Sequence, residues 1–362
     1  MHLPRSPFAP LLVVLALLGL LAAMWAGLLR MGWALPVLRP ALPLAHGPLM
    51  ISGFLGTLIG VERAVALGRR WAYAGSLLTA LGTVMLVVGV GGLPGPLLMT
   101  AGSLGLAVTM ALIVRRQQAL FTVVMGVGAL LWLLGNGLWL LGQPFSTVAY
   151  WWAGFLVLTI AGERLELSRL LRLSLQSTVA FTTAVGLLLL GIALTVLAFD
   201  AGVRLAGGGL VGLALWLLRH DIARHTVRQA GLRRFIAVCL LSGYVWLGVS
   251  GMLALLYGGV RGGLYYDAVL HALFLGFVMA LIFGHAPIVF PAVLNRQMAY
   301  RPFAYVPLLV LHLSLILRLA GDLAAWVPGR QWGGLFNVIA VLLFLGSTAY
   351  ALLSAPAAAE NF

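Results

Sequence analysis

Four histidines lie inside long apolar stretches of this chain: His46, His271, His285 and His312. An imidazole in such surroundings is either a hydrogen-bonded structural group or a ligand. His2 is terminal, and His220 and His225 flank a polar stretch that reads as a solvated loop. His46 opens Leu44-Ala45-His46-Gly47-Pro48-Leu49-Met50, and His271 opens His271-Ala272-Leu273-Phe274-Leu275-Gly276. Taking Gly53 and Gly276 as equivalent puts His46 seven residues and His271 five residues before its glycine. At about 1.5 Å rise per residue the two differ in depth by only about 3 Å. Two imidazoles at one level on parallel helices suit bis-histidine ligation of a haem iron. The alternative is two unrelated histidines bonding backbone carbonyls of neighbouring helices.

His285 follows His271 by fourteen residues. Fourteen steps of about 100° return to within about 40° of the start and advance about 21 Å, so both face one side of the helix at opposite depths. His312, Glu62 and Glu163 are expected in the same inner layer as His285. A His285–His312 pair with these carboxylates could hold a metal, a second haem or a proton path; the alternative is a structural network with the glutamates neutralised by nearby arginines. Pro287 and Pro291 are expected to bend the helix and free backbone carbonyls. Arg318 and Asp322, four apart, form either an i,i+4 ion pair at the interface or, for Arg318, the counter-charge of a haem propionate. The lone Cys239 excludes an internal disulfide framework and a cysteine-rich metal site. No phosphate loop, dinucleotide fingerprint or nucleophile–base set stands out.

The elements that must position these side chains are membrane spans. Of 362 residues, 62% are hydrophobic and 8% charged, which excludes a water-soluble enzyme and a disordered chain. A spanning helix needs about 20 mostly apolar residues. Twelve segments qualify, near 9–30, 42–68, 72–92, 96–114, 118–142, 148–170, 178–199, 202–219, 234–258, 265–293, 303–321 and 332–354. The eighth is the weakest, because Gly207–Gly209 lower its helix propensity. All 22 basic residues are arginine and the net charge is +14. Sixteen arginines, among them Arg5, Arg172 and Arg296, fall at one set of span ends and five at the other. By the positive-inside rule both termini are cytoplasmic, in a prokaryotic-type inner membrane. The balance calls for anionic lipid headgroups rather than nucleic acid. Tryptophans and tyrosines such as Tyr150-Trp151-Trp152 and Tyr265-Tyr266 read as interfacial anchors.

A repeat runs through every fourth span. The second carries Gly53-Phe54-Leu55 and then Glu62-Arg63, the sixth Gly154-Phe155-Leu156 and then Glu163-Arg164, the tenth Gly276-Phe277-Val278 and then His285. The expected fold is therefore all-α, one integral membrane domain over 1–362 with twelve transmembrane helices in a pseudo-threefold bundle of three four-helix units, about 9–114, 118–219 and 234–354.

Twelve spans in three blocks of four, with His46-Gly47-Pro48-Leu49-Met50 in the second span and a histidine in the tenth, resemble subunit I of haem–copper oxidases. The segment from His271 through Gly276 and Met279 to Gly284-His285-Ala286 is similar to the NnrS family of haem- and copper-associated membrane proteins linked to nitric oxide metabolism. Arg318–Gly321 followed by Gly333, Asn337, Ala340 and Phe344 is similar more loosely. The resemblance implies a low-spin haem between spans 2 and 10, with Met50 beside it and His46 and His271 as ligands. The histidines that oxidases place on spans 6 and 7 are missing, so a dioxygen-reducing binuclear centre is not expected, although a second haem or copper at His285 and His312 is open. The expected function is a haem b protein in respiratory electron transfer or nitric oxide binding. An oxidoreductase role would follow, with quinol, cytochrome c or another respiratory subunit, or a diatomic gas, as partner. The competing classes are a twelve-helix proton-coupled transporter using the same residues and a cofactor-free quinol-contacting or assembly subunit.

Overall fold

In the computed structural model, residues 8–171, 173–294 and 298–354 are described, and among them there is no strand. His2, Arg5, Arg172 and Arg296 lie outside them. Among the described residues, twelve helices are long and apolar enough to cross a membrane. They are α1 Phe8–Arg30, α2 Leu42–Leu67, α3 Arg70–Val88, α4 Pro94–Arg116, α5 Leu120–Leu140 and α6 Phe145–Ser168, then α7 Leu175–Leu194, α8 Phe199–His220, α9 Gly231–Tyr257, α10 Leu264–Pro291, α11 Pro302–Leu323 and α12 Val327–Leu353. The chain is a multi-pass membrane protein. Its outward faces carry exposed apolar side chains such as Leu104, Leu134, Leu190 and Leu215, which contact lipid tails.

Contacts divide the chain into two units, residues 1–162 and 163–362. Within each, helix pairs are held by glycine. Lipid gives apolar side chains no reason to leave it, so spans associate through close van der Waals contact and small residues. A methyl group on Gly19 of α1 would come 3.7 Å from the Gly53 carbonyl carbon on α2. One on Gly128 of α5 would come 3.0 Å from the Phe155 oxygen on α6, and one on Gly243 of α9 would come 3.3 Å from the Phe277 oxygen on α10. Each Gly-Phe pair of the repeat thus has a glycine of the preceding helix packed against its backbone. The third and fourth helices of each block pair in the same way. Gly82 of α3 meets the Gly95 oxygen of α4, Gly191 of α7 meets the Gly202 oxygen of α8, and Gly321 of α11 meets Gly329 of α12.

The same logic explains α8, a full 22-residue helix. Gly207 would place a methyl 2.7 Å from the Gly251 oxygen on α9, and Gly209 would place one 2.5 Å from the Leu188 nitrogen on α7. The triple glycine that weakens α8 as an isolated helix is what lets two neighbours pack against it. α10 continues through Pro287 and Pro291.

One local feature is shared by α2 and α10 alone among the described spans. Leu49–Gly56 and Ala272–Met279 are π-helical, eight residues each. In both, the Gly-Phe pair occupies the fifth and sixth positions. The two histidines stand just before these segments. π turns arise where an extra residue is inserted in an α-helix, often at functional sites.

Gly208 and Gly209 give an internally controlled test. A methyl at Gly208 meets nothing within 4 Å, so Gly208→Ala should leave the unfolding free energy of the purified protein unchanged or raise it by up to about 1 kcal/mol. Gly209→Ala should lower it by about 1–3 kcal/mol, the cost of overpacking; thermal unfolding reads both, and equal effects at the two positions would refute the packing argument.

Candidate functional site

His46 begins the α-helical turn that follows the short 3-10 turn Leu42–Ala45. Its Nδ1 lies 2.8 Å from the Ala23 carbonyl oxygen of α1. A carbonyl only accepts, so this assigns the proton to Nδ1 and makes Nε2 the ring's acceptor nitrogen. The ring rests on the α1 backbone at Gly27, where a methyl would come 3.0 Å from its Cε1. His271 has the same tautomer. Its Nδ1 lies 2.9 Å from the Asp267 carbonyl oxygen one turn earlier and 3.3 Å from the Asp267 carboxylate. An imidazole whose Nδ1–H is spent on a carbonyl or carboxylate is oriented as metal-ligating histidines are, with its basicity raised. The bond to a neighbouring helix's carbonyl that the alternative reading foresaw is present at His46, whereas the carbonyl held by His271 belongs to its own helix. His46 belongs to the first unit and His271 to the second.

Asp267 also anchors a buried charge network on α10, α11 and α12. Arg318 Nη2 donates to Asp267 Oδ2 at 2.7 Å, and Arg330 Nη2 lies 3.5 Å from the same oxygen. Arg330 Nε stands 2.8 Å from Oδ1 of Asp322, which is fully buried. The i,i+4 pair expected between Arg318 and Asp322 is replaced by two pairs that cross between helices. Gly321, Gly329 and Gly333 bring α12 against α11, so Arg330 reaches Asp322 while Arg318 turns to α10. Two arginines face two aspartates, and the charge of Arg318, expected against a propionate, is balanced by Asp267.

His312 of α11 is tied to α9. Trp246 Nε1 donates to its Nδ1 at 3.0 Å, which leaves Nε2–H to donate to Ser242 Oγ at 3.0 Å, and Ser242 donates on to the Cys239 oxygen. Both ring nitrogens are thus engaged with protein. His285 is half-buried on α10. Among the described residues no group of three or more histidine, cysteine or acidic side chains could hold a metal ion. Glu62 lies 3.6 Å from Arg63, and Glu163 is half-buried on α6. Met50, inside the π segment of α2, packs against Ala23, Ala26, Leu42 and Leu49.

Two polar networks escaped the reading of ionisable residues. In the first unit, Ser52 in the π segment accepts from Trp132 Nε1 at 3.0 Å and donates to Asn136 Oδ1 at 3.3 Å. Asn136 also accepts from Trp152 Nε1 at 2.9 Å. Trp152 is fully buried, so it is an internal donor rather than an interfacial anchor: its indole N–H finds a better partner in Asn136 than in headgroups. The signal was an asparagine inside an apolar span. In the second unit, Arg164 holds Asp221 by Nε at 2.7 Å and Nη2 at 3.3 Å. Asp221 also accepts from the Tyr244 hydroxyl at 2.9 Å and the Ala223 N–H at 2.7 Å. Arg164, counted with the topogenic charges, is buried; the single aspartate within Arg219–Arg234 was the signal for its partner.

A family model described as a domain of unknown function, DUF8744, matches residues 9–353. The chain belongs to the DUF8744 family. No curated protein shows significant similarity to it. The DUF8744 match spans all twelve helices, and with them both π segments and every polar network described above.

The Arg164–Asp221 pair predicts a non-additive mutant cycle. Arg164→Met strands a buried carboxylate and should cost about 3–5 kcal/mol, whereas Arg164→Met with Asp221→Leu should recover much of that loss. Thermal unfolding of the purified protein checks this, and additive effects would show that the pair is not desolvated.

Proposed function

We propose that this DUF8744 protein binds haem b and uses it for respiratory electron transfer or to bind a diatomic gas such as nitric oxide, in the manner of the NnrS and haem–copper oxidase families it resembles. His46 and His271 are the proposed axial ligands. What carries the reading is the shared local construction of α2 and α10. Each places a histidine just before an eight-residue π segment and fixes its Nδ1 on a backbone carbonyl. π segments are frequent at functional sites, and the outer hydrogen bond is the one a ligating imidazole needs. Taken singly, each ring is an imidazole held through Nδ1–H, the donor chemistry that a haem iron takes.

A bound haem would supply reversible one-electron chemistry at its iron. The chain's own part is to hold the imidazoles and to tune them. Asp267, accepting from His271 Nδ1–H, raises the electron-donor character of Nε2, while Arg318 and Arg330 share the same carboxylate and limit how much charge it lends. The proposal does not extend to a second haem or copper at His285 and His312, because the His312 nitrogens are engaged on α9. The arginine asymmetry supports an inner-membrane location with cytoplasmic termini. Quinol, cytochrome c or another respiratory subunit is the proposed electron partner.

A second reading, a proton-coupled transporter, is favoured by the Asp267–Arg318–Arg330–Asp322 network, since membrane-embedded ionisable groups mark ion paths. A reduced-minus-oxidised spectrum of the purified full-length protein separates the two. The haem reading expects a b-type signal that is lost or converted to a high-spin form in His46→Ala and in His271→Ala, with partial rescue by added imidazole. No b-type signal, or one unchanged in both variants, overturns it.

A further inference from the structure

The inner walls of α9, α10 and α12 and the start of α11 line a half-open cavity of about 660 Å³ that none of the four span histidines lines. Its volume falls in the range of small-molecule sites, about 300–1,000 Å³. The walls are apolar, with Phe235, Leu343 and the ring stack of Phe283 on Phe344, centroids 4.0 Å apart. Ser347, one of few hydroxyls there, donates to the Phe344 oxygen at 2.9 Å. The wall is tied shut at one side by the Ala299 N–H, which donates to the Ala351 oxygen at 3.4 Å. The polar atoms gather at one end. Arg301 lies over the Tyr350 ring at 5.0 Å, and both residues line the cavity. A guanidinium stacked on a ring keeps its N–H donors at its edge, where they suit a phosphate or carboxylate. Exposed Arg233 and Arg234 flank the lining residues Leu232 and Phe235 at the same end.

We infer that this cavity binds one amphiphile, an apolar chain within the walls and an anionic head on Arg301, the chemistry of an anionic phospholipid or a free fatty acid. A neutral headgroup would leave the cationic end without a counter-charge. The site is independent of the haem reading, because it shares no residue with His46, His271 or the charge network.

Gly346 gives a clean way to fill the cavity: it lines the wall, and a Cβ there meets no atom within 4 Å. The full-length protein is reconstituted in phosphatidylcholine vesicles doped with phosphatidylglycerol or with oleate, extracted in mild detergent, and its retained lipid read by native mass spectrometry. One phosphatidylglycerol per chain is expected to survive extraction in preference to phosphatidylcholine; retention of oleate instead assigns the same site to a free fatty acid. Arg301→Gln should weaken the anionic preference about tenfold, and Arg301→Lys should restore part of it. Gly346→Trp should abolish retention, while Gly137→Trp, equally open but on α5, should not. Where Gly346→Trp does not fold, as judged by gel filtration, Gly346→Leu is read in its place. Equal retention of phosphatidylcholine and phosphatidylglycerol, a co-purified quinone, or undiminished retention in the filled variant overturns the inference.

Discussion

Helix backbones in lipid have no hydrophobic incentive to meet, and in this protein they meet where glycine removes the side chain that would hold them apart. Gly19, Gly128 and Gly243 bring α1, α5 and α9 onto the Gly-Phe pairs of α2, α6 and α10. Gly82, Gly191 and Gly321 close the hairpins α3–α4, α7–α8 and α11–α12. Contact at that distance multiplies weak dispersion terms and sets the positions from which polar side chains reach their partners. The crossing of Arg318 to Asp267 and of Arg330 to Asp322 is one consequence: only with α11 and α12 in backbone contact does a residue at the start of α12 meet one at the end of α11.

Once the backbones are that close, polar groups that lipid cannot solvate are paired inside. Ser52, Asn136, Trp132 and Trp152 form one such set, and Arg164, Asp221 and Tyr244 another. Each contains an aromatic donor that lends its one polar atom while its ring fills volume. Trp132 stacks on Phe155 of the repeat at 5.0 Å and bonds Ser52. Trp246 lies against Gly276 and bonds His312. Both π segments therefore carry a glycine flattened under a tryptophan from another helix, since Gly56 serves Trp132 in the same way. The two histidines that precede these segments share one tautomer for one reason: a backbone carbonyl lies within reach of Nδ1.

The spans and the Gly-Phe repeat were legible because length and apolarity are local properties. The eighth helix looked weak for the same reason, since propensity counts what a glycine costs an isolated helix and cannot see α7 and α9 pressed against it. Candidate residues chosen by ionisability included His46 and His271, each of which is fixed through Nδ1 on a backbone carbonyl. They missed Asn136 and Trp152, which carry no charge, and Asp221, which looked like one more loop residue among arginines. Met50 and Arg318, read as neighbours of a haem, touch a core cluster and Asp267, contacts that depend on other helices.

Twelve spans and an every-fourth-helix repeat can be read from the residues alone, because hydropathy must be satisfied span by span whatever the neighbours are. Which charges pair, which histidine nitrogen carries the proton, and where α2 and α10 widen into π turns depend on how the helices pack. Those outcomes depend on distances of about 3 Å between residues tens of positions apart, and such distances are set by how closely glycine lets two backbones approach.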